Sequence, residues 1–246
     1  MQHVSQLEFL EITNGPHITD TSFEYLPQQC PHLMYLSLHK SPITLQTIVA
    51  LGEHCPQVGT ISLERCTNLG YDIFSALATW PSLEDLAISL CDLNGMGDTL
   101  VTEETALDLI ACKGLKRLFI QEIRWTFRDA LPPPTVIAFI QSHPHLEELE
   151  LTGGTLTDAT LNAITMHLPG ITKVGMSGNR QITSRAVRRL VQNCHELGFV
   201  ALDGCGIPAD DFPELGEVYL EFDDDGNDFV LCLDGNAPDK IRNSRF

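Results

Sequence analysis

Neither a C-x-x-C pair nor an unbroken run of about 18 apolar residues, the length a membrane span needs, occurs in this chain of 246 residues. No apolar signal segment follows Met1. Positive charge is scarce as well: 15 Lys and Arg stand against 33 Asp and Glu, a net charge of −18. That balance disfavours nucleic acid and anionic membranes as partners and favours a basic partner, or plain solubility. Catalytic signatures are missing. There is no P-loop and no G-x-S-x-G, and Gly95-Met96-Gly97 is a lone G-x-G in which Asn94-Gly95 suits a turn. No enzyme and no cofactor are expected.

What is present is a spacing. Apolar, non-aromatic residues recur as L-x-x-L-x-L at Leu7-Leu10-Ile12, Leu33-Leu36-Leu38, Val58-Ile61-Leu63, Leu83-Leu86-Ile88, Leu115-Leu118-Ile120, Leu146-Leu149-Leu151, Ile171-Val174-Met176 and Leu197-Val200-Leu202. The periods between first positions are 26, 25, 25, 32, 31, 25 and 26 residues, within the window of leucine-rich repeats. Counting from the first leucine, offsets 3 and 5 point into a core and offsets 2, 4 and 6 point out, the alternation of a short strand. The second half of each unit reads as a helix, opened by Thr19-Asp20, Thr44, Thr157-Asp158 or Thr183-Ser184, whose side chains can cap exposed N–H groups. Parallel strands stack about 4.8 Å apart and helices need about 8–10 Å, so about eight such units bend into a right-handed arc. The parallel β-sheet lines its concave face and the helices its convex face. The expected class is an α/β solenoid over residues 1–207, with an acidic cap over 208–246.

Seven of the eight cysteines fit the repeat instead of a disulfide framework, and only Cys232 falls outside it. Three residues before each following first leucine stand Cys30, Cys55, Trp80, Cys112, His143, Leu168 and Cys194, a buried helix end. At offset 8, where the chain leaves the strand, stand Cys66, Cys91, Cys205 and, in the same place, Asn179. These are small groups able to hydrogen-bond within a turn. Thiols spread one per layer point to a reducing compartment, cytosol or nucleus.

The consensus L-x-x-L-x-L-x-x-C, with an I-T-D-like helix start and the boundaries Cys30-Pro31-His32-Leu33 and Cys55-Pro56-Gln57-Val58, resembles the cysteine-containing leucine-rich repeats of F-box proteins and of antagonist-of-mitotic-exit-network relatives. The resemblance covers residues 4–207. It implies the substrate-recognition repeats of an SCF-type ubiquitin ligase, in which an F-box recruits the ligase core and the repeats hold the target. No F-box-like segment lies among the six residues before Leu7, so recruitment of the core transfers to no residue of this chain. The abrupt first strand, with an open core end, leads to the expectation of a missing amino-terminal region; a minimal cap made by Met1-Gln2-His3-Val4 is the alternative. At the other end, Glu217 to Phe222 and Phe229 to Leu233 read as a β-hairpin over 217–233. Eleven acidic residues lie between Asp210 and Asp239. Asp223-Asp224-Asp225-Gly226 suggests calcium, but an EF-hand loop counted from Glu221 would find Cys232 where its twelfth-place carboxylate belongs, so a solvated turn is expected.

A protein target, peptide or folded, would meet the outward rows. The offset-2 row runs Phe9, Tyr35, Thr60, Asp85, Arg117, Glu148, Lys173, Phe199, in which Asp85, Arg117, Glu148 and Lys173 alternate in sign. Such a row is either a solvated ladder or a polar track for a charged peptide. The offset-4 row includes Ser62, Ala87, Phe119 and Glu150, where small groups beside an exposed Phe119 would leave a shallow depression. The offset-6 row includes His39, Glu64 and Gln121, with His39 and Glu64 as a candidate pH-sensitive pair. The two long repeats carry insertions at 92–102 and 123–134. The second contains Arg124, Trp125, Phe127 and Arg128 before Pro132-Pro133-Pro134. Trp and Arg are enriched in binding hot spots, although these aromatics could equally tuck onto the solenoid as anchors. His143, His145 and Glu148 could suggest a metal site, but the period sends them in different directions, so no metal is expected. Two functions follow: target recognition within a ubiquitin-ligase adaptor, or a regulatory or scaffold repeat protein without a ligase link.

Overall fold

A computed structural model describes residues 4–70, 72–91, 110–121, 133–152, 156–215, 220–222 and 228–244. The chain divides into two compact units, Met1–Asp129 and Ala130–Phe246. In the first unit, strands β1 (Phe9–Ile12), β2 (Tyr35–His39), β3 (Thr60–Glu64), β4 (Asp85–Ser89) and β5 (Arg117–Gln121) pair in parallel and in sequence order. In the second, β6 (Glu148–Leu151), β7 (Lys173–Gly175) and β8 (Phe199–Ala201) do the same. Within each unit, equivalent offsets of adjacent repeats are register partners, as in Leu36, Ile61, Leu86 and Leu118. This is the leucine-rich-repeat architecture that the spacing predicts.

The inward pairs from β2 onward are buried, and their hydrophobic surface holds neighbouring layers together. Leu10 and Ile12 of β1, which pair with β2 alone among the described strands, are only half-buried. The helices begin where hydroxyl or carboxylate residues were expected to open them: Asp20–Phe23 after Thr19, Leu45–His54 after Thr44, Asp158–His167 after Thr157 and Ser184–Asn193 after Thr183. These starts are tied across repeats. Asp20 accepts hydrogen bonds from the Thr44 amide (2.9 Å), the Thr44 hydroxyl (2.7 Å) and the Thr47 hydroxyl (2.6 Å), and Asp158 accepts the Thr183 amide and hydroxyl. Partial burial raises the Asp20 carboxyl, but these donors outweigh it and hold the group below its ordinary value of 3.8.

All seven helix-end positions are buried, Cys30, Cys55, Trp80, Cys112, His143, Leu168 and Cys194. The Cys55 thiol reaches the carbonyls of Pro27 and Cys30 in the preceding repeat, and burial pushes it and the Cys194 thiol up to about 11. Trp80 fits a cysteine's place because Gly52 makes room: a Cβ on that glycine would stand 2.5 Å from the indole Nε1. His143 stacks on Phe139 at 4.1 Å, and its Nδ1 lies 2.9 Å from the Phe139 carbonyl oxygen.

The offset-8 residues form a ladder of their own. Cys66, Cys91, Asn179 and Cys205 each donate to the carbonyl of the offset-5 residue one repeat earlier: Leu38 (3.6 Å), Leu63 (3.4 Å), Leu151 (2.9 Å) and Met176 (2.9 Å). Each of these bonds ties one layer to the next. All eight cysteines are free thiols. One residue earlier, at offset 7, the backbone is left-handed in six described repeats, at Asn14, Lys40, Arg65, Leu90, Gly178 and Gly204.

The carboxy-terminal segment differs in detail from the single hairpin expected over 217–233. β9 (Leu220–Phe222) and β10 (Asp228–Val230) pair antiparallel, Phe222 opposite Asp228. The anticipated run from Phe229 to Leu233 breaks at Leu231, and β11 (Cys232–Leu233) turns away to pair antiparallel with β8. The backbone groups of β8 are the reason: an open sheet edge offers hydrogen-bonding partners that a longer hairpin would leave exposed. A helix, Ala237–Asn243, follows that the sequence reading did not anticipate. Its Arg242 donates to the carbonyls of Val191 (3.0 Å), Cys194 (3.0 Å) and Leu197 (2.5 Å), where the helix Ser184–Asn193 ends. Arg188 of that helix pairs with Glu214 at 2.5 Å and lies over the Phe212 ring, fastening the segment further.

Candidate protein-binding surface

Alternation along each strand leaves every second side chain outside the core, and register sets equivalent outer residues side by side about 4.8 Å apart. In the first unit the offset-2 row Phe9, Tyr35, Thr60, Asp85, Arg117 is continuous. Phe9 and Tyr35 stack with centroids 4.2 Å apart and planes 5° from parallel, and Phe9 is 53% exposed. Sequence reasoning placed both rings in one row and passed over Phe9 as a site residue. Their shared offset in adjacent repeats was the available signal.

Asp85 and Arg117 form the ion pair that the alternating charges anticipate, at 2.5 Å. The same carboxylate oxygen, Oδ2, accepts the Thr60 hydroxyl at 2.9 Å, while the buried Oδ1 has no donor among the described residues. A further pair, Glu84 with Lys116 at 2.8 Å, stands at offset 1, outside the rows that the sequence singled out. His39 and Glu64 are register partners with Nε2 and Oε1 3.6 Å apart, a close approach without a hydrogen bond. Gln121 lies opposite Ser89, and Phe119 opposite Ala87. Phe119 is half-buried where exposure was expected; the sheet surface beneath a large ring covers one side of it.

In the second unit Glu148 is the register partner of Lys173, yet the described ion pair of Lys173 runs on the diagonal, to Glu150 at 3.6 Å. Gly175 explains this. It is the register partner of Glu150 and has no side chain, so the glutamate leans into the vacant place, where a Cβ on Gly175 would stand 2.3 Å from its Cγ. Burial there raises the Glu150 carboxyl despite the opposing pull of Lys173. Lys173 also lies 5.5 Å from the centre of the Phe199 ring.

Arg124, Trp125, Phe127 and Arg128 lie outside the described residues, as does the Asp223–Asp225 run. His143 is buried and His145 exposed, so the two do not converge. Among the described residues no group of three His, Cys, Asp or Glu could hold a metal ion, and no helix is long and apolar enough to cross a membrane.

No protein-family profile matches the chain. Among solved structures it is similar to Rad7 from yeast, determined in complex with Elc1, with a TM-score of 0.56 and 16% identity over 82% of this chain and 57% of that one. It is also similar to an internalin from Listeria monocytogenes, with a TM-score of 0.50 and 14% identity over 85% of this chain and 64% of that one. At such identities the likeness establishes the fold, that of a leucine-rich-repeat protein. The chain spans less than two thirds of either matched structure.

Proposed function

We propose that this chain is a non-enzymatic protein-interaction module, the substrate-recognition repeats of an F-box-type ubiquitin-ligase adaptor of the antagonist-of-mitotic-exit-network-like kind. The observation that carries the binding role is the register-matched outer face of β1 to β5, which presents stacked aromatics and paired charges on a rigid sheet. Rigid platforms of this kind bind with little ordering cost. The cysteine pattern and the likeness to Rad7, solved with a bound protein, support the adaptor role. On this reading the ligase core is a partner only if an F-box lies upstream in the full protein, and the working compartment is cytosol or nucleus.

The experiment is co-precipitation of the full reading frame with the ubiquitin-ligase core, followed by ubiquitin transfer to captured targets. Core recruitment supports the adaptor. Target capture without the core supports the alternative, a regulatory or scaffold repeat protein. Replacing Trp125 and Phe127 by alanine assigns their loop: lost capture at an unchanged melting temperature marks recognition, whereas a lowered melting temperature marks anchoring.

A further inference from the structure

The outer face of the first unit changes character from one edge to the other. Toward β4 and β5 its charges are compensated, Asp85 by Arg117 and Glu84 by Lys116. Toward β1 the Phe9–Tyr35 stack presents an exposed aromatic ring, and Glu11, exposed two residues further along β1, shares its outer face. An aromatic face bordered by a carboxylate attracts a cation twice, through the ring quadrupole and through charge.

We propose that this face binds a segment of a protein partner that sets an arginine or lysine over the Phe9–Tyr35 stack, beside the Glu11 carboxylate. The net charge of −18 favours the approach of such a segment. This deepens the interaction-module reading and rests on it, but it is independent of the ligase link, so the two fail separately.

The test is fluorescence anisotropy of the purified chain with a labelled 12-residue peptide of alternating Arg and Ser, beside the same peptide with citrulline for arginine. The arginine peptide should bind and the citrulline peptide should not. Phe9→Leu and Tyr35→Leu, which keep apolar bulk and remove the π face, should each weaken binding about three- to thirtyfold. Glu11→Gln, at an exposed position where folding is not at stake, should weaken it in the same direction. Replacing Asp223, Asp224 and Asp225 by asparagine should leave it unchanged. Equal binding of both peptides, an unchanged affinity in Phe9→Leu and Glu11→Gln, or a loss that follows the Asp223–Asp225 variant would overturn the proposal.

Discussion

The turns that leave the strands are built from different residues in the two units. In the first, the left-handed position is held by Asn14, Lys40, Arg65 and Leu90; in the second, by Gly178 and Gly204. The backbone task is the same in both. Lys40, Arg65 and Leu90 each send their amide to the next repeat's carbonyl, of Glu64, Ser89 and Gln121, and Gly178 sends its own to Asp203. A residue with a Cβ is strained in this conformation by about 1–2 kcal/mol, whereas glycine adopts it freely. The inter-repeat hydrogen bonds therefore impose the turn on the first unit, while in the second the residue already suits it. The far strands differ too: Leu10 and Ile12 of β1 are half-buried, whereas β8 is closed by β11 and Val200 and Leu202 are fully buried.

The closure of the second unit is the part of this comparison that breaks with the largest effect. Arg242→Ala removes the donors that satisfy three carbonyls and should cost about 2–4 kcal/mol in denaturant unfolding. An unchanged midpoint would show that the helix Ala237–Asn243 adds little to the unit. The turns come next. Gly204→Ala should destabilise by about 1–2 kcal/mol purely through conformation, because the new Cβ would stand 3.7 Å from Gly178 and meets no clash. Lys40→Gly and Arg65→Gly, both at exposed positions, should shift the other way, each by up to about 1 kcal/mol after glycine's entropic cost. If all three shifts share one sign, residue preference is not what separates the units.

The smallest effect is in the helix starts. Because the folded Asp20 carboxyl titrates below its ordinary 3.8, its contribution is complete above that pH and disappears as pH falls through the folded value. The melting-temperature gap between the natural chain and Asp20→Asn should thus be widest near neutrality and close below about pH 4. A constant gap would remove Asp20 from the acid response.

Much of the fold was legible because the leucine-rich repeat writes its geometry at fixed intervals. The inward triplets, the helix starts at Thr44 and Thr183, and the buried ends at Cys55 and Cys194 each answer to a local rule of periodicity, capping or size. Asp85 and Arg117 were legible as partners for the same reason, since equal offsets become register partners. The diagonal pair of Lys173 with Glu150 was not, since it depends on the space that Gly175 leaves for Glu150, a property of two neighbouring strands together. The break of the hairpin at Leu231 had no local signal either, because a strand's choice between β9 and β8 depends on which edge is open when it arrives.

By itself the sequence determined the repeat length, the strand register and the side chains that leave the core, since period and hydrophobic burial act within about one repeat of each residue. Tertiary structure alone decided that Phe9 lies flat on Tyr35, that Asp85 keeps one oxygen without a donor, and that Arg242 closes a helix some fifty residues upstream. Those outcomes rest on contacts between separate repeats, where the fit of one side chain is set by the shape of another.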